Sequence, residues 1–393
     1  MVSPRSMVRH LVLLSLVFGV LPARAEEAFR YPEGKYEKGW LRYVNGLPVL
    51  SVRGSPQDIG RQEANLISRS ARQLISYPKN LLELLGKRDQ WPKLLEKSRA
   101  LASQFPPDHL KELEAFAATT GVDRDLLLVA NTMTDVYRGG FGCSSLIVEP
   151  GRSATGGPLF GRNLDFFTLG VIHKYTLVVA CRPQGKHAFV SIGFPGLFGC
   201  LSGMNDAGLA LAVHEVFFSR DGAAMFNPKG TPYTLCFRRI LEECTTVEEA
   251  EKLLRSMERT TLLNLAVCDR RRGGVLEMTP KTVVFRPAED GICVCTNHFC
   301  SEALATLAFS VRYARLMKSK AIEKLDVADV AKKLHEVNQG RMTMHTMVFQ
   351  PAPLVLHLAF GSCPSSALPL KRLELAPVFE AKTLKTTNSS SNE

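Results

Sequence analysis

Apolar and polar positions along this chain follow first a helical and then a strand period, and the change falls near residue 142. Leu47 to Val52 reads as a short strand that ends at Gly54-Ser55-Pro56. Ser55-Pro56-Gln57-Asp58 then has the order of a helix start. A hydroxyl stands where the first amides need an acceptor, and a proline stands where its missing N–H costs nothing. Helical spacing runs on through Leu84, with a break at Pro78. It resumes from Asp108 to Thr119 after Pro106-Pro107, and again from Val122-Asp123 to Tyr137.

Beyond Gly142 the period shortens to two. Ser144–Val148, Thr176–Cys181, Ala188–Ile192, Leu209–Val213, Leu263–Cys268, Val275–Met278, Val283–Arg286, Thr346–Phe349 and Leu354–Phe360 read as strands between Gly, Pro, Asn and Asp turns. Helices are predicted over Thr231–Glu242, with Thr231 as cap and Pro232 first, over Val247–Met257 and over Asp326–Asn338. These elements predict an α+β fold with stacked antiparallel sheets and flanking helices. The residues after Thr383 are mostly polar and predict a disordered tail, 383–393.

Composition narrows the function. The net charge is +11, but the basic residues are dispersed, with runs no longer than Arg270-Arg271-Arg272. Without a zinc-ligand repeat, an aromatic RNA-binding motif or a long basic tract, that charge reads as a solvated surface, and nucleic acid is not an expected partner. Arg5 and Arg9, the apolar run Leu11 to Leu21 and the Ala23-Arg24-Ala25 site form a secretory signal pattern, so residues 1–25 are expected to be removed and the protein exported, to the periplasm or outside the cell. The apolar run is shorter than the ~20 residues a membrane helix requires, and no stable membrane span is expected. Ten cysteines invite a disulfide framework, but several stand in strand-like apolar text, where the thiol serves as a small buried hydrophobe. Cys293, Cys295 and Cys300 lack partners at zinc spacing, and no metal or organic cofactor is expected.

The residues with chemistry to offer recur in order. Cys143 follows Gly139-Gly140-Phe141-Gly142 at the helix-to-strand change. Gly161-Arg162-Asn163-Leu164-Asp165 places a cation and a carboxylate where they could bracket one atom from a turn or strand end; an arginine beside a thiol favours thiolate, and a carboxylate holds an amine. Gly203-Met204-Asn205-Asp206-Ala207-Gly208-Leu209 carries hairpin-turn residues and leads through an apolar strand to His214 and Glu215. Thr296-Asn297-His298 ends the apolar run from Ile292, where an asparagine amide can aim at a developing oxyanion. Arg312 and Arg315 follow.

In this order the set resembles the choloylglycine hydrolase-like branch of the N-terminal nucleophile hydrolases. Within that branch it is most similar to the cysteine peptidase family that includes acyl-coenzyme A:6-aminopenicillanic acid acyltransferase, with acid ceramidase and N-acylethanolamine acid amidase as more distant relatives. The resemblance implies a four-layer αββα fold with a helical N-terminal pro-segment. It implies self-cleavage between Gly142 and Cys143, giving an α/β heterodimer from residues 26–142 and 143–382. By the same resemblance Cys143 is the nucleophile, Arg162 and Asp165 orient it, Asn297 serves the oxyanion, and Arg315, with Arg312 as competitor, is the downstream arginine. Glu215 stands where the amidase branch has Glu and the bile-salt hydrolases have Asn. The implied activity is hydrolysis or transfer of acyl groups at linear amide bonds of a small molecule. The α-amino group of Cys143 would act as base, its pKa of about 7.7–8.0 lying close to the thiol's of about 8.5; His214 and His298 are not needed. A dipeptidase of a related cysteine family and an exported binding protein with a decayed site are the competing readings. A papain-type arrangement lacks a placed His/Asn pair.

Overall fold

A computed structural model describes residues 28–137, 141–168, 170–306 and 309–380. The expected export signal and polar tail lie outside them, as do Gly139 and Gly140. Strands β1 (Gly34–Tyr36), β2 (Gly39–Val44) and β3 (Leu47–Gly54) precede helices α1 (Pro56–Ile75), α2 (Tyr77–Leu84), α3 (Trp91–Ala102), α4 (Pro107–Thr120) and α5 (Arg124–Val136). Then come β4 (Phe141–Val148), β5 (Leu159–Phe166), β6 (Leu177–Pro183), β7 (Phe189–Gly193), β8 (Ser202–Asn205) and β9 (Ala210–Glu215). Helices α6 (Tyr233–Glu243) and α7 (Val247–Ser256) lead to β10 (Leu263–Cys268), β11 (Gly273–Met278), β12 (Val283–Pro287) and β13 (Ile292–Cys295). The described chain ends with α8 (Val311–Met317), α9 (Val327–His335), β14 (Thr343–Gln350), β15 (Val355–Phe360), β16 (Lys371–Glu374) and α10 (Ala376–Glu380).

The strands form two sheets, one in the order β1-β2-β3-β6-β7-β8-β9-β10-β11-β12 and one in the order β13-β4-β5-β14-β15-β16. Within them every neighbouring pair is antiparallel except β3 and β6, which run parallel. The pleat explains the layering. On β3, Val49 faces a core between the sheets, where it joins Ala212, Ala266, Ile147, Phe160 and Met347. Its neighbour Leu50 faces the opposite way, into a core with Ile67 of α1, Phe116 of α4, Phe237 of α6 and Leu254 of α7. The far face of the small sheet buries Leu146, Val148 and Val348 against Leu316 of α8 and Val330 and Leu334 of α9. With both faces of each sheet covered, the fold is α+β in four αββα layers. This is why Leu263–Cys268 is buried throughout.

Ser55 caps α1 as its sequence predicts: its hydroxyl accepts from the Asp58 N–H, and the Asp58 carboxylate accepts from the Ser55 N–H at 3.0 Å. Eight of the ten cysteines are buried, in keeping with a packing role. The segment before Cys143 is not simply helical. It also supplies β1, β2 and β3 to the large sheet, and β3 is fastened to β6 across the proposed cleavage point. Helices α3, α8 and α10 and strands β1, β2, β5, β8 and β16 have no counterpart among the predicted elements. In β5 the polar Arg162-Asn163-Leu164-Asp165 hides a strand that is buried at all eight positions. Helix α6 starts one residue later than predicted, with Pro232 as its cap.

One buried charge cluster also joins the two halves. Arg238 of α6 donates to both carboxylate oxygens of Glu112 on α4 at 2.7 and 2.6 Å, to Glu242 at 2.8 Å and to the Phe198 carbonyl at 2.9 Å. His109 Nε2 lies 3.0 Å from Glu242, which also accepts from Lys186 at 2.7 Å.

Candidate active site

Strand register brings the sequence-predicted residues together. In the small sheet β4 lies between β13 and β5. Across β5, Cys143 is paired with Leu164, Gly142 with Asp165 and Ser145 with Arg162. Across β13, Ser145 is paired with Cys295, so two residues further on Asn297 stands opposite Cys143. The Asn297 Oδ1 accepts from the Cys143 backbone N–H at 2.8 Å, and that nitrogen belongs to the Gly142–Cys143 peptide bond. Asn297 Nδ2 donates to the Glu215 carbonyl at 2.8 Å, so donors and acceptors on both sides fix which way its amide points.

The arginine that completes the site is Arg312, not Arg315. Arg312 Nη1 donates to the Cys143 carbonyl at 2.5 Å and to Ser144 Oγ at 3.2 Å, and its Nη2 donates to Asn297 Oδ1 at 2.8 Å. Its guanidinium also stands 3.9 Å from Asp165 Oδ2. Arg315 is exposed and donates to the Glu336 carbonyl at 3.2 Å. Residues three apart share a helix face, so periodicity could not separate the two. Position decides it: Ser310 caps α8, which puts Arg312 in the first turn, at the end nearest β13. Replacing Arg312 with alanine is expected to lower kcat/KM at least about a hundredfold, since it removes a charged group hydrogen-bonded to the Cys143 carbonyl and to Asn297. Arg315→Ala is expected to stay within about twofold, as surface substitutions do. Equal losses in the two variants would refute the assignment.

Arg162 is fully buried between the sheets and donates from Nη1 to the Val213 carbonyl of β9 at 2.6 Å. Burial pushes the Cys143 thiol above its ordinary pKa, while Arg162, and less strongly Arg312, pull it back down. Asp165 is likewise raised by burial, against Thr343 Oγ1, which donates to it at 2.5 Å, and Gln339 Nε2, which donates at 2.7 Å. Glu215 ends β9 buried, and its carbonyl is the group that meets Asn297. Gly142 is not in a turn. It is a strand residue with Gln339 packed directly over it, and that close approach is what calls for glycine. Gln339 and Thr343 come from the loop after α9 and the start of β14; no motif marked them, and only proximity to Asp165 reveals them.

The two histidines considered in the sequence are occupied elsewhere. His214 Nε2 lies 2.9 Å from Ser145 Oγ, and burial holds it well below the usual histidine range. His298 pairs with Thr296 Oγ1 at 2.9 Å and with Cys300 Sγ at 3.6 Å.

A fold of two sheets between helix layers, with a cysteine, an asparagine and paired charges meeting at one peptide bond, defines the class expected from the ordered motifs. The family model for acyl-coenzyme A:6-aminopenicillanic acid acyl-transferase matches residues 152–363. The chain belongs to that family. The match includes Arg162, Asp165, Glu215, Asn297, Arg312 and Gln339, and begins after Cys143. An uncharacterized protein of Archaeoglobus fulgidus is 22% identical over 319 residues, 68% of this chain and 53% of that protein. The chain thus spans about half the length of the curated relative it matches. Among solved structures, the Caenorhabditis elegans ortholog of N-acylethanolamine-hydrolyzing acid amidase is 17% identical with a TM-score of 0.43, covering 53% of this chain and 93% of that one. A variant of conjugated bile acid hydrolase from Clostridium perfringens is 15% identical with a TM-score of 0.42, covering 60% and 93%. Penicillin V acylase from Agrobacterium tumefaciens is 13% identical with a TM-score of 0.38, covering 56% and 83%.

Proposed function

We propose that this protein is an exported cysteine amidase or acyltransferase that cleaves its own Gly142–Cys143 bond and then uses Cys143 to take acyl groups from linear amides of small molecules. The observation that carries this reading is the 2.8 Å hydrogen bond from the Cys143 N–H to Asn297 Oδ1, with Arg312 on the same oxygen. A purely structural cysteine has no need of a side-chain amide on its backbone nitrogen and an arginine on its carbonyl. After cleavage that nitrogen is an α-amino group, held in place by Asn297 and able to exchange a proton with the adjacent thiol.

The catalytic cycle follows from these positions. The thiolate adds to the amide carbonyl carbon, and Asn297 Nδ2 with nearby backbone N–H groups stabilises the oxyanion. The C–N bond breaks as the α-amine returns a proton to the leaving nitrogen. Water or an acceptor amine then attacks the thioester and restores the thiol. Asp165, with Gln339 and Thr343 on its two oxygens, holds the amine end of the site. An apolar cavity of about 100 Å³ supports an apolar acyl group. Tyr77, Met133 and Leu201 are in its wall, together with Phe166 and Met344, the chain neighbours of Asp165 and Thr343. It is somewhat smaller than the ~150 Å³ space that takes a benzene ring.

The test is the intact mass and N-terminal sequence of the protein expressed without residues 1–25. Two fragments are expected, one beginning Cys143-Ser144-Ser145. A chain that stays whole across acidic to neutral pH would overturn the proposal.

A further inference from the structure

Gly142 and Gln339 are packed together more tightly than a side chain at 142 would allow. A Cβ on Gly142 would fall inside the contact radius of Gln339 Nε2, and within 2.9 Å of its Cδ and 3.2 Å of its Oε1. Backbone geometry does not demand glycine here, because Gly142 is a strand residue and has no left-handed φ. Space demands it. The end of a glutamine usually swings aside cheaply, but this one is tied at two points. Its Nε2 donates to Asp165 Oδ2 at 2.7 Å, and its backbone N–H donates at 2.7 Å to Thr343 Oγ1, which in turn donates to Asp165 Oδ1 at 2.5 Å. Moving the amide breaks a hydrogen bond to a buried carboxylate, among the stronger kinds in a protein.

We infer that Gln339 is the specificity-determining wall on the acyl side of the site. It admits acyl groups with an unsubstituted CH₂ next to the carbonyl and rejects those carrying an L-configured substituent there. The inference rests on the proposed role of Cys143 and treats the Gly142–Cys143 bond as the site's first substrate. In that reaction Cys143 Sγ adds to the Gly142 carbonyl carbon. The C–N bond breaks as the nitrogen gains the thiol's proton, leaving a thioester and a free α-amine. Water then adds, the C–S bond breaks, and Gly142 departs as a carboxylate while the proton returns to Sγ. Every later acyl group is carried on that same sulfur, so its α-carbon takes the place of Gly142 Cα, under the Gln339 amide. The substrate class is therefore linear acyl amides, not peptides of L-amino acids, whose α-carbons carry side chains.

Two measurements test this. In the first, the processed protein is given butyryl p-nitroanilide and the two enantiomers of 2-methylbutyryl p-nitroanilide. The butyryl compound is expected to exceed the enantiomer whose methyl points to Gln339 by about tenfold or more in kcat/KM, the worth of one charged hydrogen bond. Gln339→Ala is expected to shrink that ratio to about threefold or less, a change that a general loss of folding would not produce. In the second, Gly142→Ala is expected to slow cleavage of the precursor about tenfold or more, and Gly142→Ala/Gln339→Ala to recover most of the rate. Equal turnover of the amides, unslowed cleavage of Gly142→Ala, or no recovery in the double variant overturns the role of Gln339 while leaving Cys143 as nucleophile. A wild-type chain that is never cleaved overturns both readings.

Discussion

With Cys143 replaced by alanine, the chain is expected to remain in one piece and to lose amide turnover by a factor on the order of 10⁴ or more. Both losses have one cause. In the proposed reaction, cleavage and turnover each require a sulfur to attack a carbonyl carbon, and Cys143 carries that sulfur on the residue whose backbone Asn297 and Arg312 hold. The variant should still fold. Cys143 is fully buried, but its thiol is small, and its loss is worth about 1 kcal/mol, within the ordinary range for single substitutions. The hydrogen bond to Asn297 Oδ1 comes from backbone and survives the change. Cys143→Ser keeps a weaker nucleophile in the same place and should be cleaved slowly. Intact mass, N-terminal sequencing and an amide assay read all three results. Cleavage of Cys143→Ala at the same bond would show that the thiol is not the attacking group.

Arg238→Leu is expected to lower stability by about 3–5 kcal/mol near pH 7, against the roughly 5–15 kcal/mol that a folded domain has in total. Arg238 is 3% exposed and lies between Glu112, 2% exposed, and Glu242, 2% exposed. Removing it leaves two carboxylates in the interior without their main counter-charge. Burial alone would raise Glu242, yet Arg238, His109 and Lys186 outweigh it and hold its pKa below the usual carboxylate range. In the variant that balance reverses for Glu242, so the deficit should shrink toward pH 4 as Glu242 takes up a proton. A triple replacement of Arg238, Glu112 and Glu242 by apolar residues of similar volume should recover much of the loss. Urea unfolding midpoints check each of these outcomes, and a midpoint for Arg238→Leu close to wild type would refute the account.

The same cluster gives the wild-type protein a pH dependence whose sign can be worked out. His109 is held below its ordinary value, chiefly by burial and secondarily by Arg238, with Glu242 opposing. A histidine that stays neutral when folded but is protonated when unfolded contributes stability that is fully present above its unfolded pKa of about 6.5 and is lost progressively as pH falls from there through its lowered folded value. The lowered Glu242 acts in the same direction further into the acid range. Glu63, raised by burial and by the charge of Glu112, acts in the opposite direction. After the proposed cleavage Glu63, His109 and Glu112 would belong to one fragment and Lys186, Arg238 and Glu242 to the other. With the β3–β6 pairing, this cluster is what would keep the fragments together.

The strands whose faces are both apolar were legible in the sequence, as was the capped start of α1, because each is specified by neighbours within a few residues. The order of Cys143, Arg162, Asp165, Glu215 and Asn297 was legible too, as a resemblance carried by short motifs. Strand β5 was not, since a strand that holds Arg162 and Asp165 in the interior carries polar text where strand period is sought. Strands β1 and β2 were missed because Gly34–Tyr36 and Gly39–Val44 are partly exposed at a sheet edge and show little alternation.

Neighbouring residues specify the local conformation of most elements, and the chain's order supplies the residue types available for chemistry. Tertiary structure alone decided which of them meet. Arg312 and Arg315 are equivalent by helical spacing, and only the docking of α8 against the end of β13 places one on Cys143 and turns the other toward Glu336. Gln339 has no local signature at all. It acquires a role because β5 and β14 pair, which sets Asp165 beside Thr343 and brings the loop before β14 over Gly142. Local propensity acts over a few residues, whereas these contacts close loops of more than 150 residues; they are settled by sheet register and by the packing of helices on the sheets.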